Sequence, residues 1–411
     1  MRRFFAALSG IAALALTTPA VAEEAATPAP EIPIWEVSFG PDGLSGPGGE
    51  ILRAEIERSQ FVALGEDHGF ADSPELGRGL AAEMKKHGRT YHAVEIGAWS
   101  NKAVQHALRT DGVTGVATLV AGKPIALPFV SNREDALLAN DFAEPEGTVD
   151  LWGIDQEFIG APAILLEELK AMAPNAGARK AADTLLRKDL AAVAAADQRN
   201  LLMLSAPPAT FAELRAKFAG SPEAQAIIDS LARSAVIYQH NNAGRYFANN
   251  ADRITLMHRL FLQQYHEAEE PAPRVLLKMG AYHLGRGTTP TKMFDIGSLL
   301  PGLAAANRMQ SLHIAFSGLA GEQLTMRPSA EGYTQVKMVD DKIITPILEA
   351  AQIDITQIGD TGHYLIPLDP IRHKLESKGI NSLSAFGKFV VLGFDYIVTT
   401  KAAKAATPMR E

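Results

Sequence analysis

The sequence predicts an α/β fold, a mostly parallel sheet with flanking helices and one large helical insertion. Seven short apolar runs read as strands, at 61–64, 91–96, 150–154, 274–279, 311–316, 364–366 and 394–399. Short apolar runs bounded by turn residues suit buried strands. They alternate with helical patterns, which implies a mostly parallel sheet covered on both faces. From 161 to 270 the texture changes: Ala, Leu, Glu, Lys and Arg dominate and no strand signal interrupts them. This stretch is expected to be a multi-helix insertion.

Residues 1–22 have the three parts of a secretory signal: Arg2 and Arg3, an apolar run over 4–16, and the small-residue site Ala20-Val21-Ala22. The run is shorter than the roughly 20 apolar residues a bilayer span needs. No later segment qualifies, so a secreted, periplasmic protein with no membrane span is expected. Residues 23–48, rich in Ala and Pro at their start, are expected to be a mobile leader, and 49–411 a single domain. A helix is predicted over 50–58, and the strand at 61–64 ends at Gly65. Asp72 reads as an N-cap, with Pro74 in the first turn and Glu75 three residues on. That helix runs to about His87 and stops at Gly88. Residues 101–108 are helical. Inside the insertion Leu165, Leu166, Leu169 and Met172 recur at helical spacing, as do Leu256, Leu260 and Phe261. Val275-Leu276-Leu277 restores the strand pattern after a Pro-x-Pro break. Residues 401–411 read as a frayed tail.

Composition narrows the function. With 47% hydrophobic and 21% charged residues over 411 positions, the chain can bury a sizeable core. Lys and Arg number 39 against 47 Asp and Glu, and without a basic stripe no nucleic-acid partner is expected. The lack of cysteine removes disulfides, thiolate metal sites and cysteine nucleophiles. No Gly-x-Ser-x-Gly, Walker, His-Glu-x-x-His or Gly-x-Gly-x-x-Gly motif is present, which argues against a common serine hydrolase.

The residues that carry chemistry fall just after strands, where open parallel sheets bind ligands. Gly65-Glu66-Asp67-His68-Gly69 follows the first strand. Glu95 interrupts the apolar Ala93-Val94-Glu95-Ile96. Asp155 and Glu157 follow the third strand, and Gly280-Ala281-Tyr282-His283 follows the strand that begins at Arg274. A carboxylate beside an imidazole fixes its tautomer and raises its basicity, so Glu66 and His68 read as a pair. A buried carboxylate such as Glu95 needs a partner, either an arginine or a catalytic group. Asp155 reads equally as a helix cap. Gly-x-x-His occurs twice, at 65–68 and 280–283. Arg286, between two glycines, is a candidate for orienting an anionic substrate or an oxyanion, or else a surface arginine.

At these residues the chain resembles the erythromycin esterase family, and more broadly the superfamily it shares with the haem-binding ChaN proteins and the Tiki proteases. The likeness rests on Gly65-Glu66-Asp67-His68-Gly69, Glu95, Gly153-Ile154-Asp155 and His283, in that order, over about 61–318, with a weaker echo at 393–398. Asp295-Ile296-Gly297-Ser298-Leu299-Leu300 resembles the segment after the second histidine of the esterases. Arg253 and Met257 resemble the Arg and Met of a helix motif there. The first motif is one residue shorter than the esterases' Gly-Glu-Ala-Thr-His-Gly, and Gly280-Ala281 stands where they have His-Asn. Paired Gly-x-x-His is more like the ChaN and Tiki side, where the two motifs face a common cleft.

The resemblance implies a hydrolase or a ligand-binding cleft, and three readings stand. In the first, His68, oriented by Glu66 or Glu95, is general base on a water that attacks an ester, lactone or related bond. His283 completes the catalytic set as second base, acid or metal ligand, and Asp155, Arg286 and Tyr282 contact a small-molecule substrate. A divalent Mn, Zn or Co ion on His68, Glu95 and His283 suits imidazole and carboxylate donors; metal-dependent and metal-free routes both stay open. In the second, the cleft binds haem or another small ligand, with His283 or Tyr282 as axial ligand. In the third, the protein is an exported structural one with a vestigial cleft. The oligomeric state is not legible.

Overall fold

In the computed structural model, which describes residues 32–144, 147–329 and 332–409, nine strands form one sheet. In chain order the strands are β1 (Trp35–Gly40), β2 (Gly43–Ser45), β3 (Ser59–Glu66), β4 (Thr90–Gly97), β5 (Leu151–Asp155), β6 (Arg274–Gly280), β7 (Gln310–Phe316), β8 (Glu322–Ser329), β9 (Gly332–Met338), β10 (His363–Pro367) and β11 (Tyr396–Thr399). Across the sheet the order is β2-β1-β10-β11-β7-β3-β6-β4-β5, and β8 and β9 form a separate antiparallel hairpin. All seven predicted strands are present. Six of them make the parallel block from β11 to β5. The seventh, β10, is antiparallel to both of its neighbours. The mostly parallel α/β architecture is as expected.

Helices α1 (Gly46–Arg58), α2 (Asp72–Lys85), α3 (Ala98–Val120) and α4 (Arg133–Asn140) connect the early strands. The insertion holds α5 (Pro162–Ala171), α6 (Ala176–Ala194), α7 (Leu202–Ser205), α8 (Pro208–Lys217), α9 (Pro222–Asn242) and α10 (Tyr246–Glu267). Two helices, α11 (Ala281–Leu284) and α12 (Ile296–Ala306), follow β6. No helix among the described residues is long and apolar enough to cross a membrane.

Side chains alternate between the faces of a strand, and this splits the core. Ala63, Ala93, Leu277 and Met279 face a layer containing Met257 and Phe261 of α10 and Ile296 and Leu300 of α12. Val62, Leu64 and Leu276 face the other layer, with Leu76 and Leu80 of α2 and Leu138 of α4. Glu66 continues the second set and Glu95 the first. The two carboxylates therefore leave the same edge of the sheet toward opposite faces.

Five expectations are corrected, and one falls outside the described residues. The signal-like segment 1–22 lies outside the described residues. The leader expected over 23–48 is overturned from Trp35 on, where Trp35, Val37 and Phe39 alternate with polar residues and β1 pairs with β10; residues 23–31 lie outside the described residues. α1 likewise begins at Gly46, with a proline in its first turn, and not at 50. Asp72 lies within α2 and does not cap it; its oxygens accept from His363 Nε2 at 2.9 Å and the Lys404 N–H at 2.7 Å. The helix predicted at 101–108 is part of α3, which starts at Ala98 and kinks at Asp111 and Gly112. Through Met409 the terminal segment is not frayed. Ala403 and Ala406 are buried, and backbone hydrogen bonds tie Ala406 to Gly69, Thr407 to Arg133 and Met409 to Ser131. It joins the loop after β3 to the segment that enters α4.

Deleting residues 402–411 removes these contacts. Thermal unfolding of the truncated protein is expected to show a Tm lower by on the order of 5 °C; an unchanged Tm would mean that the segment carries no stability.

Candidate functional site

β3 and β6 are adjacent and parallel, with Glu66 beside Gly280, and β4 flanks β6. Three strand ends thereby gather both Gly-x-x-His segments and Glu95. His68 Nδ1–H donates to Glu66 Oε1 at 2.9 Å, and its Nε2 lies 3.8 Å from Glu95 Oε2. Gly280 permits this approach, since a Cβ there would sit 2.9 Å from His68 Nε2. His283 Nε2 is 3.4 Å from Glu95 Oε1, and its Nδ1–H donates to Asp295 Oδ2 at 2.8 Å. Both imidazoles thus converge on one buried carboxylate.

Each carboxylate at the edge has its own cation. Lys278 of β6 places Nζ 2.8 Å from Glu66 Oε1 and 2.8 Å from Asp135 Oδ1 of α4. Arg253 lies one turn before the buried Met257 on α10. It donates to Glu95 Oε1 at 2.8 Å and holds Asp155 through two hydrogen bonds of 3.0 and 2.5 Å. The Gly280 N–H donates to Glu95 Oε2 at 2.8 Å. Asp295 uses its second oxygen to accept from the Ile296 N–H at the start of α12.

These charges set the protonation states. Burial would raise Glu66, but Lys278 and then His68 outweigh it and bring the carboxyl down to about 2. Burial is likewise overcome at Glu95, which His283, His68 and Arg253 hold well below the usual range. Burial opposes charge on His283, yet Asp295 and Glu95 push it up to about 10. For His68, burial is outweighed by the hydrogen bond to Glu66 and the charges of Glu95 and Glu66, so its pKa is raised. His92 and His313, buried in β4 and β7, are driven down to about 3 mainly by burial and are neutral core residues.

His68 is the most exposed member of the cluster, its side chain 41% accessible. It lies on the floor of a cavity of about 470 Å³, and its ring sits 4.5 Å from that of Phe129. Phe70, Pro128, Phe158, Leu324, Pro408 and Met409 make apolar walls, with Glu66, Asn132 and Asp135 beside His68 as the polar floor. The β8–β9 hairpin closes one side: the Leu324 N–H donates to Gly69 O at 2.9 Å and Gln323 Nε2 to His68 O at 2.8 Å. Gly69 has φ +93°, and a Cβ there would fall 1.9 Å from Leu324 O, so only glycine is accommodated.

Of the residues singled out in the sequence, Glu66, His68, Glu95, His283 and Asp155 meet here, Asp155 as the partner of Arg253 and not on the cavity wall. Arg286 and Tyr282 do not join them. Arg286 is committed to Asp395 by hydrogen bonds of 2.8 and 2.7 Å and to Ser311 O. Tyr282 packs edge-on against Phe386 with centroids 4.8 Å apart. Glu157 accepts from the Trp99 and Ser100 N–H groups at the start of α3. The trio His68, Glu95 and His283 does not fit a metal ion. Among the described residues no three His, Asp or Glu side chains are arranged to hold one, and Glu95 is already engaged by Arg253, Gly280 and His283. Of the two haem ligands considered, His283 turns Nδ1 to Asp295 and Nε2 toward Glu95, and Tyr282 packs its ring against Phe386. Lys278, Asn132 and Asp135 were not singled out in the sequence. Lys278 carries the same signal as Glu95, a charge inside an apolar strand; Asn132 and Asp135 carry none.

No protein-family model and no curated protein matches the sequence. Among solved structures, a His-to-Asn mutant of erythromycin esterase EreC in its open conformation superposes with a TM-score of 0.59 at 15% identity, covering 90% of this chain and 98% of its own. A succinoglycan biosynthesis protein superposes with a TM-score of 0.53 at 13% identity, covering 90% and 94%. The fold is therefore erythromycin-esterase-like, as the motifs led one to expect. A haem-bound ChaN of Campylobacter jejuni reaches only 0.32 at 8% identity over 75% of this chain and 98% of its own, too low to inform the comparison.

The raised His283 pKa makes a stability prediction. Its pairing contributes fully below the ordinary value of 6.5 and is lost as pH rises toward about 10. Urea unfolding at pH 6, 8 and 10 is expected to show wild-type stability falling over that window, with a shallower fall in His283→Gln. Equal slopes would contradict the assignment.

Proposed function

We propose that this cleft hydrolyses an ester, lactone or related acyl bond in a small molecule with a bulky apolar body. The observation that carries the reading is His68 itself: a half-exposed imidazole, held by Glu66 at Nδ1, with Nε2 near a buried carboxylate at the floor of an apolar cavity. With the proton on Nδ1, Nε2 is the free base, and histidine is suited to that task near ambient pH. Nε2 takes a proton from water as the water attacks the acyl carbon. The imidazolium so formed lies between the ionised Glu66 and Glu95, which stabilise its charge, and it returns the proton to the leaving alcohol oxygen as the acyl–oxygen bond breaks. His283 and Arg253 act one step back, keeping Glu95 ionised and oriented. The apolar walls take the body of the substrate, and Asn132 and Asp135 meet its polar groups. The likeness to the esterase is one of fold; the site geometry is what supports hydrolysis. The signal-like segment 1–22 supports an exported enzyme.

A panel of aryl esters and lactones tests this. His68→Ala is expected to lower kcat/KM by about a hundredfold or more on any substrate turned over. In the wild type kcat/KM is expected to fall as pH drops through the raised His68 pKa, with a midpoint above 6.5. Retention of the rate in His68→Ala would end the reading.

A further inference from the structure

Lys278 belongs to neither histidine motif and does not line the cavity. It sits between Leu277 and Met279 in β6 and is buried. A lysine in such a place persists only with anions beside it. The register puts Lys278 next to Leu64, two residues before Glu66 and on the same face of the sheet. From there its ammonium meets Glu66 Oε1, the same oxygen that accepts from His68 Nδ1. On its other side it meets Asp135, which Asn132 Nδ2 holds at 3.0 Å. The row Asn132, Asp135, Lys278, Glu66, His68 runs from α4 to the cavity floor through contacts of 3.0, 2.8, 2.8 and 2.9 Å.

Without the ammonium, Glu66 and Asp135 would be two acids buried on one side of the sheet. Like charges in such a site share a proton. A protonated Glu66 becomes a donor at one oxygen and no longer fixes the His68 ring. The other charged groups facing His68 are its chain neighbour Asp67 and Glu95, behind which lie Arg253 and His283; Glu95 lies toward Nε2, and the hydrogen bond at Nδ1 is that of Glu66.

We propose that Lys278 is a positioning residue for the reaction: it keeps Glu66 an ionised, fixed acceptor, so that neutral His68 carries its proton on Nδ1 and leaves Nε2 as the free base. The catalytic meaning rests on the hydrolase reading, but the tautomer is measurable without a substrate.

Nitrogen-15 spectra of the His68 ring, taken above its pKa, are expected to show a single Nδ1–H tautomer in the wild type. In Lys278→Met they are expected to show a mixture of tautomers, with kcat lowered by about tenfold or more and KM little changed. Should Lys278→Met fail to fold, Lys278→Met/Asp135→Asn removes one buried charge of each sign and reads the same tautomer change. A single Nδ1–H tautomer retained in the variant that folds overturns the proposal, whatever the change in stability. Inactivity of the wild type on every acyl substrate overturns the hydrolase reading instead and leaves the tautomer assignment standing.

Discussion

A carboxylate buried without a partner costs several kcal/mol, and this fold buries Glu66 and Glu95 on either side of His68 at one edge of its sheet. Strand alternation sends Glu66 to one face and Glu95 to the other, so no single cation serves both. Lys278 answers Glu66 from within the sheet, and Arg253 answers Glu95 from α10. Each cation then has a second anion, Asp135 or Asp155. His283 with Asp295 extends the network beyond Glu95. His68 lies across the edge between the two carboxylates. That one imidazole is open to the cavity while its neighbours are buried and paired is what gives the site its chemical direction.

The outer elements follow from the same requirement. The helical insertion carries Arg253 on the stripe that also buries Met257 and Phe261, so packing and electrostatics are fixed by one helix face. The β8–β9 hairpin is a two-stranded unit, a form that is marginal alone. It is held by the Gly69 and His68 carbonyls and by the Tyr333 hydroxyl, which donates to Val193 O. The terminal segment completes the wall through Pro408 and Met409. Cavity and cluster therefore share one loop, 66–70, and a shift in either reaches the other.

Most of the parallel block was legible because buried strands are short apolar runs and nothing else in the chain looks like them. β1, β2, β8 and β9 escaped notice; β1 and β8 alternate apolar with polar residues, as in Trp35-Glu36-Val37-Ser38-Phe39, and their signal is periodicity and not hydrophobicity. Glu66, His68, Glu95 and His283 were found because acid and imidazole at consecutive strand ends is not a packing pattern. Lys278 escaped despite sitting in an apolar strand as Glu95 does. Asp135 had no local signal, because its importance comes from Lys278 reaching out of β6 to α4. Arg286 and Tyr282 lie within three residues of His283 in sequence, yet their side chains find partners in Asp395 and Phe386. The terminal segment is polar enough to read as loose, and only the tertiary contacts of Ala403 and Ala406 order it.

The central claim is that both carboxylates flanking His68 are ionised in the folded protein. Carbon-13 titration of the Glu66 and Glu95 side-chain carboxyls measures this directly. The account predicts that neither titrates between pH 7 and the ordinary glutamate value of 4.5, with Glu66 changing only near about 2. An inflection at or above 4.5 for either group would contradict it.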